Sequence, residues 1–363
     1  MDFDREIQEI LEFAHNMKEI RAIKEQVLAG KKIVIFGAGN CGHEVWRSLL
    51  DEGIEVKAFC DNRRAGTIDR ETSLPIIDAI QMANDIKNYF ILISVADKPV
   101  YELIYHQLIQ MGFQSSQCLF MKDYIEKIPA SFLIKYKYQY HKVFHMLEDE
   151  LSRKVYIERI KRVYILSDIL DVMQPEKDQY FDKLVKLTEQ EVFIDCGAYI
   201  GDTAIEFIKR TNGKYQQIYM FEAEESKYAQ IKSSLKDFKY KLYPYGVWSE
   251  NTKLYFEAGG GSASKVSATD TGKTEIEVVA LDHIAFDKVP TFIKMDIEGS
   301  EKQALLGARE LISKYTPKLA ICVYHKPEDL FELPLLIKEI NPKYKLYMRQ
   351  YSDHFAETVC YAL

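Results

Sequence analysis

The stretch that decides the fold of this chain is Phe193-Ile194-Asp195-Cys196-Gly197-Ala198-Tyr199-Ile200-Gly201-Asp202-Thr203. Its apolar residues predict a buried strand that ends in a glycine turn, with Asp195 at the end of the strand. Such a turn suits a cofactor with a positive centre and an amino-acid tail, because the carboxylate favours cationic groups and the glycines leave room for the ligand. We therefore predict cofactor contacts from Asp195, Gly197, Ala198, Gly201, Asp202 and Thr203.

Two features further along the chain fit an adenosine group. Glu222 lies 27 residues after Asp195, at the end of the next strand in the run FEAEE. An acid at that position can accept hydrogen bonds from both ribose hydroxyls. Val247 and Trp248 follow in the next connection and offer apolar and aromatic surface for an adenine ring. Core packing explains Trp248 equally well, and both interpretations stay open.

Polar residues also end two later strands. Asp296 and Glu298 follow the strand Phe292–Met295, and His325 ends the strand LAICVYH. Open α/β folds bind ligands at the carboxyl ends of their strands, so we assign Asp296 to the cofactor site. His325 is the first candidate for a general base, since its ordinary pKa lies near neutral pH, and Glu298 is the second.

Each of these assignments has an alternative. A histidine that is hydrogen-bonded at a strand end explains His325 as well as a base does. Asp296, Glu298 and His325 could instead hold a divalent metal ion that lowers the pKa of a hydroxyl group. Spacing alone does not separate a metal from a base, and we place the metal second. Glu301 fits the start of the next helix, where an acid is favourable.

Strands and helices alternate in two separate parts of the chain. From Lys31 the runs KKIVIF, IEVKAFC and YFILISVA are short apolar strands between helical segments, and a second alternation begins at Glu191. Alternation of this kind builds parallel sheets. The predicted class is α/β: two Rossmann-like doubly wound domains, residues 1–122 and 189–363, joined by a helical connector, residues 123–188. The second sheet is predicted to have an antiparallel edge at the C-terminus.

The first alternation contains its own glycine turn. Gly37-Ala38-Gly39-Asn40-Cys41-Gly42 stands between a strand and a helix, and Asp61 ends the next strand. Glycines there let backbone N–H groups approach a phosphate at the start of the helix, and the acid can bind a ribose hydroxyl. We predict nucleotide contacts from Gly37, Gly39, Asn40, Cys41, Gly42 and Asp61. A Rossmann fold with a vestigial site is the alternative.

The second half resembles the FkbM family of methyltransferases, class I enzymes that depend on S-adenosylmethionine. The resemblance covers residues 148–363 and lies in FIDCGAYIGDT, FEAEE, VVALD, IKMDIEGSE, LLGA and PKLAICVYH. It implies a seven-stranded methyltransferase fold, S-adenosylmethionine as the methyl donor, and O-methylation of sugar or natural-product hydroxyls. Members commonly carry FEP where this chain has Phe221-Glu222-Ala223.

The first half resembles the nucleotide-sugar-binding domain of bacterial sugar-nucleotide acetyltransferases. The similar residues are IVIFGAGNCGHEV, VKAFCDN and LPII. This resemblance implies a nucleotide or a nucleotide-linked sugar as the ligand and does not exclude NAD.

Composition argues against several other classes of protein. The 363 residues are 47% hydrophobic and 28% charged, with a net charge of −7, which disfavours a nucleic-acid binder. No apolar run approaches the roughly 18 residues that a membrane span needs. The six cysteines form no CxxC pair, which disfavours a zinc site. We expect a cytoplasmic protein whose partner is a carbohydrate or nucleotide-sugar substrate, and a homo-oligomer stays open.

The predicted function is methyl transfer from S-adenosylmethionine to a sugar or glycan-precursor hydroxyl. Two alternatives remain: a binding or scaffold module with an inactive methyltransferase half, and NAD-linked redox chemistry at the first glycine turn. The run GGGSAS, residues 259–264, is a candidate lid over the substrate or a plain hairpin loop. Arg349, Tyr347 and Tyr351 could bind a sugar or phosphate, although ordinary surface contacts explain them better.

Overall fold

The computed structural model describes residues 1–15, 18–95, 98–121, 130–165, 169–257, 265–267, 274–352 and 356–363. Contacts divide the chain into two compact units. We call Asp2–Tyr136 with Ile160–Ser167 the N-terminal unit, and Lys137–Arg159 with Asp168–Leu363 the C-terminal unit. The division falls within two long helices, and the domain limits derived from the sequence stay a prediction.

The N-terminal unit contains a sheet of six short strands. Its helices are α1 (Phe3–His15), α2 (Lys18–Leu28), α3 (Asn40–Asp51), α4 (Ala79–Ala83) and α5 (Lys98–Gln110). Its strands are β1 (Lys32–Phe36), β2 (Val56–Cys60), β3 (Thr67–Ile68), β4 (Pro75–Ile77), β5 (Tyr89–Ile93) and β6 (Cys118–Phe120).

Strand order places the first glycine turn at the centre of this sheet. The order is β3-β4-β2-β1-β5-β6, and β1 pairs in parallel with both β2 and β5. The chain therefore builds one side of the sheet from β1 and then returns to build the other side from β5. The turn that follows β1 lies at this reversal, which is where open α/β sheets leave a crevice for a ligand.

Two long helices, α6 (Ala130–Met146) and α7 (Glu150–Ile165), are shared between the units. The rest of the C-terminal unit contains strands β7 (Val192–Cys196), β8 (Gln217–Phe221), β9 (Tyr240–Tyr243), β10 (Gly246–Val247), β11 (Thr252–Glu257), β12 (Lys265–Ser267), β13 (Thr274–Val279), β14 (Phe292–Met295), β15 (Lys318–Cys322), β16 (Leu346–Gln350) and β17 (Thr358–Ala362). Its other helices are α8 (Asp202–Arg210), α9 (Tyr228–Ser234), α10 (Glu301–Leu306), α11 (Arg309–Tyr315) and α12 (Asp329–Ile340).

The main sheet of the C-terminal unit has seven strands in the order β16-β17-β15-β14-β7-β8-β9. Strand β14 pairs in parallel with β7 on one side and β15 on the other. The predicted antiparallel pair at the C-terminus is present as β16 and β17. The antiparallel strand is not at the edge, however, because β17 inserts between β15 and β16 and pairs with both.

Strands β10, β11, β12 and β13 form a separate sheet of four strands. The strand–helix alternation from Glu191 predicts a single sheet for the second half, and the structure corrects that prediction. The physical reason is visible in β13, where Glu275 and Glu277 are exposed and Ile276 and Val278 are buried. This alternation suits an antiparallel sheet with one solvated face, whereas a central parallel strand such as β7 is buried throughout.

An aromatic core fixes the main sheet against its helices. The rings of Phe193 on β7 and Phe207 on α8 stack with 4.7 Å between their centroids, and Phe292 on β14 lies 5.1 Å from Phe193. Burial of such rings supplies about 1.5–3 kcal/mol each. The strand ends that carry the polar residues are therefore held on a rigid support.

All six cysteines are described and free of disulfide bonds. Among the described residues, none of the helices combines the length and the apolar character that crossing a membrane requires.

Candidate active site

Parallel pairing gathers the predicted site residues of the second half at one edge of the main sheet. Strands β8, β7, β14 and β15 run in the same direction and lie side by side. Glu222, the Gly197 turn, Asp296 and His325 follow the carboxyl ends of these strands, respectively. The edge therefore presents them in that order, which is the place where an open α/β sheet binds its ligand.

The turn after β7 packs directly on the end of β14. Gly197 has a φ of +79°, and a Cβ atom there would lie 2.0 Å from the carbonyl oxygen of Asp296. No other residue type fits that contact without moving the backbone. Gly201, with a φ of +86°, then precedes the first residues of α8, Asp202 and Thr203, of which Asp202 is exposed.

Asp195 lies beneath the turn and is fully buried. Its Oδ1 is 3.1 Å from Nζ of Lys294, the residue that the register of β7 and β14 places opposite it. Lys294 also donates a hydrogen bond of 2.8 Å to the carbonyl oxygen of Gly197. Burial raises the pKa of Asp195 to about 6 against the opposing effect of Lys294. This buried pair therefore supports the turn through the hydrogen bond to Gly197. Ala198, the next residue of the turn, is buried as well.

Glu222, which follows the neighbouring strand β8, is hydrogen-bonded to the same turn. Its carboxylate accepts a hydrogen bond from the backbone N–H of Tyr199 and another from that of Glu224, each 2.8 Å long. Burial raises the pKa of Glu222. A carboxylate offers about four acceptor sites, so Glu222 keeps capacity for ribose hydroxyls. Val247 is buried on β10, and Trp248 after it is half-buried.

His325 lies among three carboxylates. Its Nδ1 is 3.1 Å from Glu301 Oε1, and its Nε2 is 3.4 Å from Asp296 Oδ1 and 3.6 Å from Glu298 Oε2. Burial lowers the pKa of His325, but the hydrogen bond and charge of Glu301, with the charges of Asp296 and Glu298, raise it to about 9. The argument that its pKa lies near neutral pH is therefore wrong, because these acids stabilise the imidazolium.

Glu298 is a carboxyl group of this cluster with a pKa near neutral pH, a property that it shares with Asp329, whose pKa burial raises to about 7. Burial raises the pKa of Glu298 to about 7, against the opposing charge of His325. Its backbone has a φ of +55°, a conformation that non-glycine residues rarely adopt. The turn that follows β14 thus holds this side chain, which is 38% exposed, at the mouth of the cluster.

Asp296 is held by two tyrosines that the sequence analysis missed. Tyr180 donates a hydrogen bond of 2.7 Å to Asp296 Oδ2, and Tyr324 donates one of 3.2 Å to Oδ1. Burial raises the pKa of Asp296, but Lys294, His325 and the Tyr180 hydrogen bond outweigh it and lower that pKa. Asp296 is therefore an ionised acceptor at neutral pH.

A metal ion would find a different donor set from the one predicted. Ligand atoms of Asp296, Glu301 and His325 all lie within 4.8 Å of one another, so the structure brings in Glu301. Glu301 is fully buried and begins α10, as predicted, and its Oε1 also accepts a hydrogen bond of 2.8 Å from the N–H of Ile297. Oε1 of Glu301 thus has two partners, whereas its buried Oε2 has no hydrogen-bond partner among the described residues, so these contacts do not separate a positioning role from metal binding.

The glycine turn of the N-terminal unit has a separate polar environment. Gly42 packs against the turn, since a Cβ atom there would lie 1.9 Å from the carbonyl oxygen of Gly37. The guanidinium of Arg64 donates to the carbonyl oxygen of Ala38 within the turn and lies 3.1 Å from Asp69, which is buried. The turn therefore has a fixed cation beside it.

The other predicted residues of this turn lie around the start of α3. Asn40 and Cys41 are its first residues, with Gly39 before them and no side chain capping the helix. Asp61 follows β2, and its Oδ1 accepts a hydrogen bond of 2.9 Å from the N–H of Arg63.

Two further predictions concern other parts of the chain. The candidate lid at residues 259–264 lies outside the described residues. Arg349 is not a surface contact: it is 2% exposed and lies 2.6 Å from Asp149 Oδ2. It therefore serves the fold, and the surface contact that the sequence analysis preferred for Arg349 is wrong.

Comparisons with known proteins show one matching family and several similar solved structures. Residues 195–352 match the family described as Methyltransferase FkbM domain. The chain is similar to the solved structure of methyltransferase FkbM from Methylobacillus flagellatus KT, with 21% sequence identity over 100% of both chains and a TM-score of 0.65. Precorrin-6y C5,15-methyltransferase from Geobacter metallireducens GS-15 matches with 13% identity and a TM-score of 0.32 over 49% of this chain and 82% of that chain. No curated protein matches the sequence.

The family match supports a methyltransferase domain in the C-terminal unit, and the similarity to the Methylobacillus protein shows its fold. The predicted α/β class with a seven-stranded methyltransferase sheet is confirmed. The resemblance of the first half to sugar-nucleotide acetyltransferases stays a prediction.

Proposed function

We propose that the chain is a methyltransferase that uses S-adenosylmethionine and methylates a hydroxyl group of a sugar or glycan precursor. The observation that carries this proposal is the arrangement at the sheet edge, where the Gly197 turn and Glu222 adjoin Asp296 and His325. The family match over residues 195–352 supports the reaction class. The carbohydrate acceptor rests on the resemblance to FkbM enzymes.

The cofactor site divides into residues that touch the ligand and residues that shape the turn. In this proposal Glu222 binds the ribose hydroxyls, and Val247 and Trp248 bind adenine. Asp202 and Thr203 are the first residues of α8, and in this proposal the backbone N–H groups of the helix start contact the cofactor. Asp195 and Lys294, both buried, hold the turn in shape and have no direct contact with the ligand in this assignment.

The bound cofactor supplies an electrophilic methyl group. Transfer is an in-line displacement, so the protein contributes mainly by positioning the acceptor hydroxyl and receiving its proton. With a pKa of about 7, Glu298 accepts that proton in our proposal. His325, whose pKa is about 9, is protonated at neutral pH and holds Glu298 and Asp296 in place. Glu301 fixes the ring of His325 through Nδ1.

Calorimetric titration with S-adenosylhomocysteine tests the cofactor site. We expect stoichiometric binding to the full chain and a loss of at least tenfold in affinity for Glu222→Ala, because a hydrogen bond to a charged group contributes about 1.5–3 kcal/mol. Glu225→Ala is the matched control, since this exposed acid lies in the same loop. Failure of the folded wild-type chain to bind, or equal affinities for all three proteins, would contradict the proposal.

We also propose a nucleotide site at the glycine turn of the N-terminal unit. The observation that favours it is the combination of the fixed Arg64 guanidinium with Ser94, which follows β5. Ser94 is 2% exposed, and its hydroxyl has no hydrogen-bond partner. Side chains alternate between the two faces of a strand. Ser94 is therefore on the same face of the sheet as Phe90 and Leu92. Both of these residues pack in one core cluster with Val45 of α3.

Titration with UDP, ADP and NADH tests this second site. We expect a nucleoside diphosphate to bind and Arg64→Ala to weaken that binding about tenfold, with the exposed neighbour Arg63→Ala as the control. Binding of NADH alone would favour the redox alternative. Absence of binding by all three ligands would identify the turn as a structural relic.

A further inference from the structure

The C-terminal unit contains a cavity of about 450 Å³ that the proposed mechanism does not use. Its walls include Tyr351 and Ser352, which follow β16, and Glu357, which precedes β17. Strand β17 runs antiparallel to both β15 and β16, so the end of β16 and the start of β17 lie at the same edge as His325. The cavity is therefore at the edge that carries the candidate active site.

The cavity wall is connected to the reacting cluster by direct contacts. Gln179 donates a hydrogen bond to the carboxylate of Glu357, and both residues line the cavity. The next residue, Tyr180, donates a hydrogen bond of 2.7 Å to Asp296 Oδ2. Burial raises the pKa of Glu357, and the charges of Asp296 and His325 act on it as well. One side of the cavity is thus adjacent to the cluster.

The strand order puts the cavity and the cofactor residues on different sides of β14. Among the residues assigned to the cofactor, residues 197–203 and Glu222 follow β7 and β8, on one side of β14, and Asp296 follows β14 itself. The cavity lies against β17 and β16, on the other side, and His325 stands between the two halves. A molecule in the cavity would therefore approach Glu298 and His325 from the side opposite residues 197–203 and Glu222.

The lining of the cavity determines which chemical groups fit. Glu176 and Glu357 supply carboxylates, and Ser352 already donates its hydroxyl proton to the carbonyl oxygen of Ala356 at 2.8 Å. Among the described residues that line it, no lysine, arginine or histidine is present. Leu170 and Met173, 54% and 40% exposed, form an apolar part of the wall. The described lining thus offers hydrogen-bond acceptors and an apolar surface.

We propose that this cavity binds the acceptor, and that the bound part is a ring bearing hydroxyl or amine groups with no phosphate or carboxylate. Hydroxyl and amine groups donate to the lining oxygens, and the apolar wall covers a ring face. A phosphate or carboxylate would lose its hydration beside the carboxylates of Glu176 and Glu357, and no cation among the described lining residues would compensate. This inference rests on the proposed methyltransferase function, and it separates a free sugar or amino sugar from a phosphorylated one.

Saturation-transfer NMR on the full chain with saturating S-adenosylhomocysteine tests the proposal. The probes are four matched hexoses: glucose, glucosamine, glucose 6-phosphate and glucuronic acid. We expect glucose and glucosamine to bind at least tenfold more tightly than the two anionic sugars. Met173→Trp, which fills the cavity, should abolish this binding, and Glu357→Gln should reduce the preference for glucosamine over glucose severalfold. Val289→Trp is the control, because this exposed residue lies near the opposite end of β14.

Each outcome decides the question. Equal or tighter binding of the anionic sugars would overturn the predicted charge selectivity, and binding that persists in Met173→Trp would overturn the cavity as its location. Absence of binding by all four sugars, in a chain that binds S-adenosylhomocysteine, would overturn the acceptor proposal and leave the cofactor proposal intact. Loss of S-adenosylhomocysteine binding in the wild-type chain would instead contradict the proposed function itself.

Discussion

The two glycine turns of this chain follow similar sequence patterns and have different surroundings. Each follows a parallel strand and precedes a helix, with an acid at the end of the next strand. Beneath the second turn lies the buried pair Asp195 and Lys294, whereas β1 beneath the first turn is apolar along Ile33–Phe36. Glu222 accepts a hydrogen bond from the backbone of the second turn, whereas Asp61 accepts one from the backbone of its own loop.

The neighbouring strand ends extend the difference. In the C-terminal unit, the turn adjoins Asp296, Glu298 and His325, which can hold and transfer a proton. In the N-terminal unit, Ser94 follows β5, and the ionisable groups beside the turn pair with one another: Asp69 lies 3.1 Å from both Arg64 and His43, and Glu71 lies 3.4 Å from His43. A glycine turn thus creates space for a ligand, and the strands beside it determine whether chemistry can follow.

The largest expected effect comes from breaking the buried pair under the second turn. Lys294→Met should lower the free energy of unfolding of the C-terminal unit by about 3–5 kcal/mol, because it leaves the carboxylate of Asp195 buried without a partner. The double variant Asp195→Asn/Lys294→Met should recover much of that loss. Urea unfolding measures both, with Trp248 as the fluorescent probe in a Trp46→Phe background.

The same variants carry an internal control, because the chain has only two tryptophans and each unit holds one. Unfolding followed through Trp46, in a Trp248→Phe background, should be unaffected by Lys294→Met. A single variant as stable as the double variant would show that the pair does not act as a unit.

The next effect is a pH dependence of stability that is expected for the C-terminal unit and not for the N-terminal unit. The folded-state pKa of His325 is raised to about 9, so its stabilising contribution is complete below the unfolded value of about 6.5 and is lost as pH rises through 9. Relative to His325→Gln, the wild-type C-terminal unit should lose on the order of 2–3 kcal/mol between pH 6 and 10. Urea unfolding through Trp248 at several pH values measures this difference, and parallel curves would contradict it.

A smaller effect tests how His325 is positioned. Glu301→Gln keeps the shape of the side chain and removes the charge beside Nδ1, so the pKa of His325 should fall by about one unit or more. Imidazole resonances followed by NMR over pH 5–10 give the value directly. Glu310→Gln, an exposed acid of α11, is the control. An unchanged pKa would mean that Asp296 and Glu298 alone set it.

Much of this site was visible in the sequence because strand ends determine where residues meet. The glycine turn, Glu222, Asp296 and His325 were each recognised at the end of an apolar run, and parallel pairing brings those ends together. The role of Lys294 could also have been predicted. A charged residue in a strand expected to be buried requires an opposite charge, and the strand register places Asp195 beside it.

Other features depended on information that local patterns do not contain. Tyr180 reaches Asp296 from 116 positions away in sequence, and no local spacing predicts that contact. The pKa of His325 depends on three acids that come together only in the fold. The position of β17 inside the sheet depends on the whole fold in the same way. After β16 the chain turns back, and β17 pairs with both β16 and β15.

The smallest expected effect sharpens the comparison between the turns. Gly39 of the first turn has open space where a Cβ atom would lie and no positive φ, so Gly39→Ala should change stability by less than about 0.5 kcal/mol. The same methyl group would occupy the approach to the start of α3, where a phosphate is expected to bind. Binding of a nucleoside diphosphate should therefore fall severalfold at unchanged stability, measured by calorimetry and by unfolding through Trp46. Because Gly197 has no such space, Gly197→Ala should destabilise its unit, and a stable Gly39→Ala variant that also binds normally would leave the first turn without a ligand-binding role.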